Sequence, residues 1–125
     1  MNDTGQLEIA MDGVDAGGKR IARIRLSEEV DLANADQLAE AFDSPECKGA
    51  DGVLLDLREL GFMDSSGLRV VLMAAQERGR FATILDGGSA VATLFGMVDV
   101  DERLNVVTGE DEAMARLQAG ADAPS

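Results

Sequence analysis

The stretch GVLLDLRELGFMDSSGLRVVLMAAQER, residues 52–78, decides how the rest of the chain is read. Its opening, Gly52 to Leu57, is a short and mostly apolar run, the pattern of a strand buried on both faces. RELGFMD, residues 58–64, reads as a turn. From Ser66 to Arg78 the apolar residues Leu68, Val71, Leu72 and Ala75 recur at helical spacing, and Gly79 follows as a C-terminal stop. A buried strand, a turn and an amphipathic helix form most of a βαβ unit, so a parallel sheet covered by helices is expected.

Working outward, the pattern continues on both sides. Phe81 to Leu85 is another buried strand, closed by Asp86-Gly87-Gly88, and Ser89 can cap a helix through Val91, Leu94 and Phe95. Leu104 to Val107 reads as a last strand. Thr108-Gly109-Glu110-Asp111 resembles a capping box before a final helix, Glu112 to Gln118. Upstream, Leu7 to Met11 alternates up to a turn signal at Asp12-Gly13. Lys19 to Leu26 also alternates, with Ile21, Arg23 and Arg25 on one face and Ala22, Ile24 and Leu26 on the other. An antiparallel pair joined by the Gly-rich segment 12–18 is expected. Ala35, Leu38, Ala41 and Phe42 then mark a first helix, with Asn34 or Asp31 as its cap and Ser44-Pro45 as its stop. Residues 1–120 read as one α/β domain, with a mixed four- to five-stranded sheet and about four helices, and residues 121–125 as a disordered tail.

A chain of 125 residues has room for one hydrophobic core. Four Phe and no Tyr or Trp leave that core to aliphatic side chains. Eleven basic against 24 acidic residues give a formal net charge of −13, which argues against binding nucleic acid or an anionic membrane surface. The charge serves either solubility or a basic protein partner. There is no His, so Ser–His–Asp and Cys–His catalysis and the usual Cys/His zinc sites are excluded. The lone Cys47, in a loop-like stretch, can form no intrachain disulfide and fits a reducing compartment. Nothing reads as a membrane span or a signal peptide, and the expected location is the cytoplasm.

The most informative residues are Asp64, Ser65, Ser66, Gly67 and Leu68, at the strand-to-helix junction, where function collects in open α/β sheets. Two readings stay open on chemistry alone. Asp-Ser-Ser before an apolar helix is a good N-cap sequence, with Gly67 permitting tight helix–sheet packing. Alternatively, Ser65 is a phosphoacceptor whose phosphate would use free helix amides and the positive end of the helix dipole.

The run from Leu55 through Ala74 resembles the signature region of STAS domains, specifically the anti-sigma factor antagonists: an apolar strand, a turn, an Asp, the phosphorylated Ser, a second hydroxyl residue, Gly and Leu. Asp64, Ser65, Ser66, Gly67 and Leu68 match in order, and the resemblance implies Ser65 as the phosphorylation site. Glu29, Val30 and Asp31 match the family's segment before the first helix, with Glu28 in place of the usual Gly. The family implies a partner surface that includes Asp31, Asp64, Ser66, Gly67 and Arg69. Arg69 is itself a departure, since that position is often small in the family.

The resemblance further implies a bacterial partner-switching cycle and no enzymatic activity in this chain. Unphosphorylated, the domain binds an anti-sigma factor that is also a serine kinase, which frees a sigma factor for transcription. Phosphorylation at Ser65 reverses this, and a serine phosphatase resets it. The chain holds no cofactor; ATP and Mg²⁺ belong to the kinase. The free form is expected to be a monomer. An alternative within the family is a non-phosphorylated adaptor subunit of a transporter or signalling assembly. A small enzyme or nucleotide-binding protein, with Gly87-Gly88-Ser89 cradling phosphate, is a further alternative, although the segment lacks the Lys and spacing of a P-loop.

Overall fold

The computed structural model describes residues 6–78 and 80–119. The described residues form five strands and six helices in an α/β arrangement. The strands are β1 (Leu7–Ala16), β2 (Lys19–Val30), β3 (Gly52–Met63), β4 (Phe81–Ile84) and β5 (Val106–Val107). Four substantial helices, α1 (Ala35–Phe42), α3 (Ser65–Glu77), α4 (Ala90–Val98) and α6 (Glu110–Ala119), are joined by two single turns, α2 (Pro45–Lys48) and α5 (Asp101–Leu104). The sheet order is β1-β2-β3-β4-β5, antiparallel at β1–β2 and parallel elsewhere.

The hairpin closes later than the sequence pattern suggests. β1 runs through Asp12-Gly13, pairing Asp12 with Arg23 and Gly13 with Ala22, and the reversal falls at Gly17-Gly18. Both glycines have positive φ, +61° and +90°, as a two-residue turn matched to strand twist requires. A pair of glycines meets that demand at two successive positions, whereas Asp12-Gly13 meets it comfortably at one.

β2 and β3 also outrun their expected ends. The segment 58–64, read as a turn, continues the strand to Met63 because β2 extends beside it to Val30. The ladder survives by shifting register between Arg25 and Ser27 and again between Glu28 and Glu29. Glu28 takes φ +78° at the second shift, a conformation suited to glycine.

Side chains divide cleanly between the two faces. Ala22, Ile24, Leu26, Val53, Leu55 and Leu57 join Leu38, Leu68, Val71 and Phe95 in the larger core beneath α1, α3 and α4. On the other face Ile21, Leu54, Ala82, Ile84 and Val107 pack on Ala113 and Leu117 of α6. The expected stripe on α3 holds in part: Leu68 and Val71 are buried with Gly67 and Ala74, while Leu72 and Ala75 are half-buried.

Several local expectations change. Cys47 lies in α2, not a loop, and is buried, its N–H donating to Ser44 Oγ at 3.4 Å. Burial pushes the Cys47 thiol up, which suits an inert core group. Leu104 ends α5 instead of opening β5, and is fully buried. α6 starts at Glu110, so Glu110, Asp111 and Glu112 occupy its first turn, where the helix dipole favours acids. The expected tail and the Gly79 stop lie outside the described residues.

Beside the start of α6 a charged network spans three strands. Arg23 donates to Asp12 at 3.0 and 2.7 Å and to Glu110 at 2.6 Å, while Arg58 grips the buried Asp56 at 3.0 and 2.7 Å. Burial opposes ionisation of Asp56, but hydrogen bonds from Arg58 outweigh it and hold the carboxyl below its usual range. The Arg23 hydrogen bonds do the same for Asp12.

Candidate functional site

The site forms where the carboxyl ends of β2 and β3 meet the start of α3. Val30 pairs with Met63, and the Asp64 N–H donates to the Val30 carbonyl at 3.1 Å, so the segments beginning at Asp31 and Asp64 leave the sheet side by side. Asp64, with extended φ −100° and ψ −173°, is the N-cap of α3. Its Oδ1 accepts from Ser66 N at 2.9 Å and Gly67 N at 3.3 Å, and its carbonyl accepts from Leu68 N at 3.1 Å. The cap is therefore Asp64, and the serines follow it.

Ser65 is the first helical residue and is exposed; among the described residues its hydroxyl makes no hydrogen bond. Ser66 is half-buried. Gly67 is buried, and what it contributes is proximity: a Cβ there would lie 2.6 Å from Val30 Cγ1 and 2.9 Å from Met63 Cγ. Arg69, one turn beyond Ser65, is exposed.

Asp31 does not cap α1. Its Oδ1 accepts from Ala33 N at 3.0 Å, and its own N–H donates to Asn34 Oδ1 at 2.9 Å. Asn34 occupies the N-cap position but turns its buried side chain back to Asp31 and to the Glu29 carbonyl, at 3.0 Å. This small knot fixes the loop after β2 and leaves Asp31 half-buried at its rim.

Two apolar residues at the same end escaped the sequence reading: Leu32, 79% exposed, and Phe62, 43% exposed. A signal was available for Leu32, an isolated large apolar residue between Asp31 and a small polar turn. Phe62 was masked by the reading of 58–64 as a turn. The other phosphate-cradle candidate is already engaged: Gly88 N donates to Asp86 Oδ1 at 3.2 Å, Ser89 N to the Asp86 carbonyl at 3.0 Å, and Ser89 Oγ caps α4 through Ala92 N at 3.1 Å.

A family model described as Mlab, STAS domain, matches residues 14–108, most of the chain. The chain belongs to the STAS domain family. This STAS domain is also 39% identical over 71 residues to BtrV of Bordetella bronchiseptica, provisionally named an anti-sigma factor antagonist. That alignment covers 57% of this chain and 58% of BtrV, so somewhat over half of the relative's length is spanned. Among solved structures, an anti-sigma factor antagonist from Mycobacterium paratuberculosis superposes with a TM-score of 0.80 at 16% identity, over 94% of this chain and 99% of that one. Unphosphorylated SpoIIAA, also an anti-sigma factor antagonist, matches with a TM-score of 0.64 at 24% identity, over 90% and 100% of the two chains. The Bacillus SpoIIAA structure in its phosphorylated form matches with a TM-score of 0.59 at 24% identity, over 87% of this chain and 98% of that one. The fold of this STAS domain is thus the SpoIIAA-like α/β fold. Among the described residues no helix is long and apolar enough to cross a membrane.

Proposed function

We propose that this STAS domain is an anti-sigma factor antagonist switched by phosphorylation at Ser65. The unphosphorylated domain binds an anti-sigma factor that is also a serine kinase, and a sigma factor is released. The kinase then moves the γ-phosphoryl group of ATP to Ser65 Oγ, ADP departs, and the phosphorylated domain dissociates until a serine phosphatase restores it. ATP and Mg²⁺ are supplied by the kinase, and this chain acts as substrate and binding partner in the cytoplasm, without catalysis of its own.

The observation that carries this reading is that Ser65 stands exposed at the front of α3 with its hydroxyl unused, while Asp64 supplies the cap. Asp31, Asp64, Ser66 and Arg69 border it as the partner surface, Gly67 sets its depth, and Leu32 and Phe62 add apolar contact area. Phosphorylation adds about −1.5 to −2 charges beside Asp64 on an already acidic chain. Since about 1.4 kcal/mol is tenfold in affinity, charge and bulk in a docking surface suffice for release without refolding.

A second reading has one observation in its favour, the Mlab description of the matching family model. It makes the chain a constitutive adaptor subunit of a transporter or signalling assembly, with Ser65 never phosphorylated. Affinity capture from the source cell with Ser65→Ala and Ser65→Asp baits separates the two. A kinase-type anti-sigma factor held by the Ala form and lost with Asp supports the switch. The same transporter subunit held equally by both forms supports the adaptor and ends the switch proposal.

A further inference from the structure

Any phosphate on Ser65 would find two amides of the first turn of α3 taken, those of Ser66 and Gly67. Both lie within reach of one carboxylate oxygen, Asp64 Oδ1, which holds Ser66 N at 2.9 Å and Gly67 N at 3.3 Å. The charged residues of the segments that meet at this end of the sheet are mostly acidic. Glu28 and Glu29 lie at the end of β2, Asp31 follows it, Asp64 precedes α3, and α1, packed against α3, carries Asp36 and Glu40. Arg58 on β3 is already engaged by Asp56 and Glu110.

Against this background Arg69 stands out. It follows Ser65 by four residues within the continuous helix α3, so the two side chains rise from the same face with Cβ atoms about 5–6 Å apart. Both are exposed, and among the described residues the Arg69 guanidinium makes no ion pair. A guanidinium presents paired N–H donors that match two phosphate oxygens, a geometry lysine does not reproduce.

We propose that Arg69 is the internal counter-ion of a phosphate on Ser65, so that phosphorylation withdraws Arg69 from the partner surface as well as adding negative charge to it. The inference rests on the reading of Ser65 as phosphoacceptor. In the unphosphorylated form Arg69 is free to meet an acidic group on the partner. In the phosphorylated form it is committed along its own helix, and the docking surface loses a cation at the moment it gains an anion. One covalent event thus changes two positions.

The test places phosphoserine at position 65 during translation, without any kinase, in the parent chain and in Arg69→Gln and Arg69→Lys variants. Phosphorus NMR then follows the second ionisation of the phosphate between pH 4 and 8. The guanidinium favours the dianion, so the parent should titrate about half a pH unit below Arg69→Gln, with Arg69→Lys between them. The gap should close in 1 M salt. Arg69 is exposed, so the variants should fold, which their proton–nitrogen spectra check. Superimposable titrations in all three chains overturn the counter-ion. Because the phosphate is placed independently of the cell, that result leaves the switch standing, whereas an absence of phosphate on Ser65 in cells removes the switch alone.

Discussion

Gly67 is where the site and the core touch. A methyl group on its Cα would run into Val30 and Met63, and both side chains are buried, Val30 completely, so neither has room to yield. Gly67→Ala gains helix propensity of about 1 kcal/mol but forces an overpacked contact of about 1–3 kcal/mol. The expected outcome is a net loss of up to about 2 kcal/mol by urea unfolding. The first turn of α3 should also move outward, visible as amide shifts at Ser65 and Ser66. A variant as stable as the parent with an unshifted first turn refutes the account. Asp64 illustrates the same economy three residues earlier, where a single carboxylate oxygen closes two amides and leaves the serine beside it uncommitted.

At the level of elements, the second register shift between β2 and β3, where Gly61 is the extra residue, shapes how the chain leaves the sheet. Glu28 adopts φ +78° there, in the region that costs an L-residue about 1–2 kcal/mol and glycine nothing. Allowing for the greater freedom of glycine in the unfolded chain, Glu28→Gly should stabilise the domain by about 0.5–1 kcal/mol. Chemical denaturation measures this directly, and a destabilised variant would mean that the Glu28 side chain contributes more than its backbone costs. This shift also explains where the sequence reading fell short. Alternation ends at a register shift, so β2 looked finished at Leu26 and residues 58–64 looked like a turn, although the two strands run on together. Pairing partners far apart in sequence sustain such strands, and local pattern cannot reveal them. By contrast α1, α3 and α4 were legible because each buries one stripe and carries its start signal nearby.

For the molecule as a whole, the charge network at the start of α6 ties the hairpin, the central strand and the last helix together. Its carboxyls set an acid limit on stability. Asp12 and Asp56 ionise more readily folded than unfolded, so their contribution is fully present above the unfolded value near 3.9 and fades as pH falls through the folded values. Urea unfolding from pH 7 down to pH 2 should show stability declining below about pH 5. Asp56→Asn should be less stable at neutrality and decline less steeply in acid. An unchanged slope would separate Asp56 from the acid transition. None of this network was legible in the sequence, because Asp12, Arg23, Asp56, Arg58 and Glu110 come together only through sheet order and the docking of α6. The candidate site was legible because it is nearly contiguous: Asp64, Ser65, Ser66, Gly67 and Arg69 are local, and only the neighbourhood of Asp31 and Leu32 required the parallel pairing of β2 with β3.

The cap of α3 has a consequence for how such domains diversify. Holding the helix and displaying the hydroxyl are tasks of different residues, Asp64 and Ser65, so selection can alter the second without disturbing the first. If Ser65 is the phosphoacceptor proposed above, a lineage can exchange it for an unresponsive residue, or regain it, in one substitution with little change in foldability. A reversible regulator and a permanent scaffold component are, on this frame, one mutational step apart.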